Sequence, residues 1–184
     1  MMRVMAGAWR GRRLAALPGT EIRPTTGRVR EALFSILGAR IVGAAVADLC
    51  CGAGALGIEA LSRGAARVDF VDVSAHALAV TEKNLRLCGA AGAVYARHRM
   101  EACAWLETRR NRDNGTPLII LADPPYAGDL AERLLAALAR WPASDLLSAV
   151  VEHGAGGAPA PPEAGPWRVK RRVYGHSALT ILEA

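Results

Sequence analysis

The chain has 184 residues, 52% hydrophobic and 22% charged, with a formal net charge of +6. That length buries a sizeable core without disulfides, which excludes a disordered tail or a disulfide-stapled miniprotein. No apolar run reaches the roughly 18–20 residues of a membrane span, and "MMRVMAGAWRGRR" lacks the layout of a secretory leader, so a cytoplasmic protein with no membrane attachment is expected.

One domain over 1–184 is expected, with residues 1–25 as a basic arm and 26–184 as a catalytic core. The first 20 residues read as a small β-hairpin, "RVMAG" and "GRRLAAL". Thr26 to Gly38 follows as an amphipathic helix with Val29, Leu33, Phe34 and Leu37 on its core side. Gly27 is a poor helix residue, which points to a helix start just after it. An alternation then begins. "AAVADLC" (44–50) reads as a buried strand and "LGIEALSRG" (56–64) as a helix closed by Gly64. "RVDFVDV" (67–73) is a strand, and Ser74 caps a helix over 75–87. "AVYAR" (93–97) is a third strand, followed by a helix over 101–110. "PLIILAD" (117–123) is a fourth strand, residues 129–140 a helix, and "LSAVVEH" (147–153) a fifth strand. "WRVKRRVYGHSALTILE" folds into a hairpin around Gly175. The Gly- and Pro-rich stretches 109–117 and 153–166 read as surface loops, the second a mobile one. Strands alternating with helices of this length predict an α/β fold, a mostly parallel twisted sheet with helices on both faces, closed by the antiparallel hairpin.

Charge is uneven. Residues 1–31 hold seven arginines against Glu21 and Glu31, so five of the six net positive charges lie there. A second cluster comprises Arg168, Lys170, Arg171 and Arg172. Arginine forks match phosphate oxygens, so a polyanionic partner is expected. The cysteines Cys50, Cys51, Cys88 and Cys103 lack metal-ligand spacing, and reduced thiols with no metal are expected.

"DLCCGAGALG" (48–57) joins the first core strand to its helix and carries Gly52, Gly54 and Gly57 in the spacing G-x-G-x-x-G. Asp72 ends the next strand, eighteen residues past Gly54, where a carboxylate accepts bonds from ribose hydroxyls. Asp48 stands where a dinucleotide fingerprint has an apolar residue. An acid there repels a pyrophosphate and suits a ligand with a cationic end, such as the amino group of S-adenosylmethionine. This disfavours a nicotinamide oxidoreductase.

"LADPPYAGD" (121–129) ends another buried strand in an acid. Ligands of open α/β sheets lie outside the carboxyl ends of the strands, so Asp123 shares a crevice with the glycine loop. The lone pair of an exocyclic base amine is delocalised into the ring. Acceptors that hold its two N–H groups localise the pair and aim it at a methyl donor. Asp123 offers a carboxylate, and Pro124 and Pro125 present a carbonyl in a stiff turn. Tyr126 adds a π face for base stacking, worth about 1–3 kcal/mol. A carboxylate that merely capped the next helix would leave the tyrosine and second proline unexplained.

"DPPY" is similar to the signature of amino-methyltransferases acting on exocyclic nitrogens. Together with "RVMAGAWRGRRL", "RPTTGRVREALFSIL", "DLCCGAGALGIEALSRGA", "FVD" and "VYGHSALTIL", the chain resembles the RsmD family of 16S ribosomal RNA guanine-N2 methyltransferases over nearly its full length. The resemblance implies a Rossmann-like class I methyltransferase fold, S-adenosylmethionine as donor, and a guanine of 16S rRNA as acceptor, in the 30S subunit or an assembly intermediate. A monomer is expected. It further implies that Asp48, Gly52, Gly54, Gly57 and Asp72 bind the donor. Glu101 stands where relatives often place Asp or Asn against the adenine edge. Asp123, Pro124, Pro125 and Tyr126 match the catalytic turn. Arg10, Arg12, Arg23, Thr25, Thr26, Arg28 and Arg30 match the segment expected to meet RNA. Two rivals share these residues: a DNA amino-methyltransferase acting on adenine N6 or cytosine N4, and a non-catalytic RNA-binding assembly factor. No separate DNA-recognition domain is visible, and every residue of the catalytic turn is intact.

Overall fold

The computed structural model describes residues 2–17, 24–110, 118–157 and 166–183, the side chains of 24–26, 110 and 157 excepted. Arg23 and most of the 153–166 loop therefore lie outside the described residues, as do the side chains of Thr25 and Thr26.

Seven strands form one sheet. β3 (Ala45–Leu49), β4 (Arg67–Asp72), β5 (Tyr95–Arg99), β6 (Leu118–Ala122) and β7 (Leu146–Gly154) run parallel, and β8 (Arg168–Tyr174) and β9 (Ser177–Glu183) form the antiparallel hairpin. The spatial order is β5-β4-β3-β6-β7-β9-β8. The chain thus starts in the middle, winds outward through β4 and β5, then returns to β6 on the other side of β3. The crevice at this reversal, outside the ends of β3 and β6, is the natural ligand site of such a sheet.

The central strands are buried on both faces, as their unbroken apolar runs require. β6, "LIILA", is buried at every position. One core layer packs Val46, Val68, Phe70, Ile119, Leu121, Leu179 and Ile181 against the helices α1 (Pro24–Leu37), α2 (Ala55–Ser62) and α3 (Ala75–Cys88). The other packs Leu49, Val71, Ile120, Val151 and Leu182 against α4 (Ala102–Arg110) and α5 (Leu130–Leu138).

Local signals explain the boundaries. Ser74 Oγ accepts the Ala77 N–H at 3.2 Å and caps α3. Gly64 (φ 97°) follows the end of α2. Two expectations shift. α1 begins at Pro24, before Gly27, because proline is preset for the first helical position and needs no N–H partner there. β5 begins at Tyr95 and takes in His98 and Arg99; among the described residues it pairs with β4 alone, and an edge strand tolerates such polar side chains.

The N-terminal hairpin, β1 (Met2–Arg3) against β2 (Arg13–Leu14), is no loose arm. The carboxylate of Glu59, 1% exposed, accepts the N–H groups of Met5 (2.7 Å) and Ala6 (2.9 Å). Ser62 Oγ accepts from Trp9 N and donates to the Ala6 carbonyl. Asn84 exchanges two bonds with the backbone of Ala15. Gly7 is required at this contact: a Cβ there would lie 1.8 Å from the Ser62 carbonyl oxygen.

Candidate functional site

A cleft of about 440 Å³ opens at the carboxyl ends of β3, β4 and β6, within the size range of small-molecule sites. Gly52, Asp72 and Glu101 line it together with Asp123, Pro124, Pro125 and Tyr126. Residues far apart in sequence, Gly52 and Tyr126 among them, thus meet because parallel strands end side by side. Val71, Met100, Ala102 and Leu130 supply apolar wall.

The glycine loop is built on left-handed backbone. Cys50 (φ 57°), Gly52 (φ 54°) and Gly54 (φ 78°) alternate in this region, and the cysteine carries strain of about 1–3 kcal/mol that the surrounding fold must hold. Burial, with Asp72, Asp48 and Asp123 adding negative charge, pushes the Cys50 thiol up to about 12. The loop's amides are already engaged. Gly52 N–H donates to Asp72 Oδ2 at 2.9 Å, and Asp72 Oδ1 accepts the Ser74 N–H at 2.8 Å. Gly57 N–H, in the first turn of α2, donates to Asp48 Oδ2 at 2.8 Å. A pyrophosphate would need such amides; here the protein's own carboxylates hold them.

The predicted donor residues therefore divide. Gly52, Asp72 and Glu101 reach the cleft; Asp48, Gly54 and Gly57 do not line it. Asp48 is 1% exposed beneath the loop. Burial holds its carboxyl well above the ordinary carboxylate range, opposed by the Gly57 N–H and reinforced by the charges of Asp123 and Asp72. Asp48 thus does not open on the cleft: a side chain pointing inward from a buried strand closes on the start of the next helix. Gly54 and Gly57 answer to packing. A Cβ on Gly57 would lie 2.3 Å from the Phe70 ring, and one on Gly54 2.7 Å from Thr81. Glu101 turns one oxygen back onto α4, accepting the Ala104 N–H at 2.9 Å, and pairs at 3.5 Å with Arg133.

The acid–Pro–Pro–Tyr corner gathers as a unit. Asp123 is exposed at the end of β6, Pro124 is buried and Pro125 is exposed. α5 starts only at Leu130, so Asp123 does not cap it. Tyr126 is 36% exposed and its hydroxyl is tied at two points: it donates to Glu152 Oε1 at 2.8 Å and lies 2.6 Å from Ser177 Oγ. Burial, with the Glu152 carboxylate adding to it against the Ser177 contact, pushes the phenol up to about 12. It stays protonated at neutral pH. Glu152 and Ser177 carry little signal in the sequence beyond an acid inside the buried run "SAVVEH".

The arginines also divide. Arg10, Arg12 and Arg28 are exposed. Arg12 Nη1 donates to the Leu87 carbonyl at 2.9 Å, in the last turn of α3. Arg30 is 6% exposed and donates to the Arg3 carbonyl at 2.7 Å; burial lowers its pKa. Arg30 thus points inward, and its guanidinium fastens the hairpin to α1. Among the described residues no metal-ligating cluster is present, and no helix is long and apolar enough to cross a membrane.

The family described as Conserved hypothetical protein 95 matches residues 2–183. The chain is 34% identical over 186 residues to the ribosomal RNA small subunit methyltransferase D of Escherichia coli K12, covering 99% of this chain and 89% of that protein. It is 38% identical over 134 residues to the putative rRNA methyltransferase YlbH of Bacillus subtilis, 73% and 72% of the two chains. Among solved structures, the putative methyltransferase yhhF of Escherichia coli superposes with a TM-score of 0.78 at 32% identity, covering 98% and 96%. A putative methyltransferase determined with SAH shares the fold at 16% identity, TM-score 0.63, covering 88% of this chain and 50% of that one. With a class I methyltransferase fold and matches running almost from end to end, the chain belongs to the Conserved hypothetical protein 95 family, that of the ribosomal RNA small subunit methyltransferase D proteins.

Proposed function

We propose that this protein methylates the exocyclic N2 amine of a guanine in 16S rRNA, using S-adenosylmethionine, on the 30S subunit or an assembly intermediate and as a monomer. The observation that carries the reading is the meeting of the Asp123–Tyr126 corner with Gly52 and Asp72 in one cleft. The cleft suits this donor: it is walled by apolar side chains, ringed by carboxylates, and its loop amides are occupied where a diphosphate would need them. In this reading Asp72 accepts the ribose hydroxyls and Glu101 meets the adenine side. Asp48, from behind the loop, makes no contact with the donor and holds the start of α2 through the Gly57 N–H. When bound, S-adenosylmethionine supplies an electrophilic methyl group on a sulfonium.

The protein's own work is positioning. Asp123 and the Pro124 carbonyl accept the two amine hydrogens and localise the nitrogen lone pair. Asp123 would take up the one proton that the amine sheds when the methyl leaves the sulfonium sulfur for the nitrogen and the donor departs as a neutral thioether. Tyr126 stacks on the base, its ring held by Glu152 and Ser177. The base must leave its stack to enter, at least cost from a loop. Arg10 and Arg28, with Arg23, Thr25 and Thr26, meet the RNA backbone.

Asp123→Ala tests the reading. It should lower kcat for methyl transfer to 30S subunits by about 10²–10³ and leave donor affinity intact. Full activity in this variant, or transfer to duplex DNA instead of subunits, overturns it.

A further inference from the structure

The cluster Arg168, Lys170, Arg171, Arg172 lies on β8, the outer edge of the sheet. β8 pairs antiparallel with β9, and β9 with β7. β8 therefore runs with the parallel strands, and its final residues reach the same end of the sheet as Asp123. The register is specific. Arg172 lies opposite Leu179, which lies opposite Glu152; Tyr174 lies opposite Ser177, which lies opposite Gly154. Glu152 and Ser177 are the two residues that hold the Tyr126 hydroxyl. With strands about 4.8 Å apart, the backbone of Arg172 runs about 10 Å from that of Glu152.

The two ends of the cluster differ in charge. At the far end, Glu183 pairs with both Lys170 and Arg40. At the cleft end, Arg171 and Arg172 are exposed, and among the described residues neither has an ion pair. Both are nevertheless fixed in place. Arg171 Nη2 donates to the Ala155 carbonyl at 2.9 Å, and Arg172 Nη1 to the Arg171 carbonyl at 3.2 Å. Alternation along the strand sends the two side chains to opposite faces, so they straddle the rim. His176 is exposed in the turn, whose backbone is tied to Ala155.

Arg12 of the N-terminal hairpin lies elsewhere. Arg12 is bound at the last turn of α3, a 14-residue helix that starts beside Asp72. It sits about 21 Å along that helix from the cleft end.

We infer that Arg171 and Arg172, at the cleft end of β8, form a phosphate grip for the RNA strand that flanks the target base. This rests on the RNA-methyltransferase reading above and extends it. A base lying on Tyr126 brings its neighbouring phosphates to this rim, where two guanidiniums with no ion pair among the described residues stand ready for forked contacts.

The test compares Arg171→Ala/Arg172→Ala with Arg168→Ala and the unaltered protein. Binding to an RNA hairpin is followed across a salt series, and methyl transfer to 30S subunits is measured for kcat and KM. The double variant should bind RNA about tenfold more weakly at low salt, with a salt slope shallower by about 0.7 per arginine removed. KM should rise while kcat and donor affinity hold, and Arg168→Ala should change far less. Wild-type affinity and slope in the double variant overturns the grip, as does an equal effect of Arg168→Ala. A loss confined to assembled subunits, with hairpin binding unchanged, also overturns it and assigns the rim to a protein contact. If the unaltered chain shows the arginine-dependent RNA binding but transfers no methyl group, the grip stands and the methyltransferase reading fails.

Discussion

Asp48 and Asp72 lie at the carboxyl ends of neighbouring strands, one next to last and one last, yet one carboxylate is sealed behind the glycine loop and the other opens on the cleft. Their different fates come from the partner each finds: Asp48 meets the Gly57 amide and Asp72 the Gly52 and Ser74 amides. The sealed carboxyl has a measurable signature. Its folded pKa is raised above the unfolded value of 3.8, so burial favours the protonated form. The stability this lends is fully present below pH 3.8 and is lost as pH rises through the folded value. Asp48→Asn keeps an acceptor for Gly57 and buries no charge. It should melt above the unaltered protein at pH 8, with the gap closing as pH falls toward 4. A gap independent of pH would refute the burial argument.

Elements show the same division between appearance and use. "RVMAGAWRGRRL" looks like a cationic arm, but its backbone is stitched to α2 and α3 by Glu59, Ser62 and Asn84. Glu59 is central because its buried carboxylate also pairs with Arg63 at 2.8 Å. Glu59→Ala would orphan two backbone donors and should cost at least about 2 kcal/mol, seen as a lower urea midpoint. Glu59→Gln, which keeps an acceptor, should lose less. Equal stability of all three proteins would mean that the hairpin docks by apolar contact alone.

Across the molecule, one topological fact gathers the site: the chain leaves the centre of the sheet in both directions from β3, so the ends of β3, β4 and β6 enclose one cleft. The reading of that cleft predicts a ligand response. S-adenosylmethionine at about 100 times its Kd should stabilise the fold by about 2.7 kcal/mol, visible as a higher Tm. A dinucleotide should give no shift, because the loop amides it needs are taken. A shift with the dinucleotide alone would reverse the assignment.

The layered α/β architecture, the strand sequence, the glycine loop and the Asp123–Tyr126 corner were all legible in the chain itself. Their signals are local: apolar runs, caps and turn residues act within a few positions of one another. The partners of side chains were not legible. Nothing near Arg30 in sequence says that it is buried against Arg3, nor near Tyr126 that Glu152 and Ser177 hold its hydroxyl. Nor does "RVKRRVY" reveal which of its cations Glu183 neutralises. Those outcomes depend on strand order and register, which bring together residues far apart in the chain; hydrogen-bond reach is a property of space, and only the tertiary fold decides it.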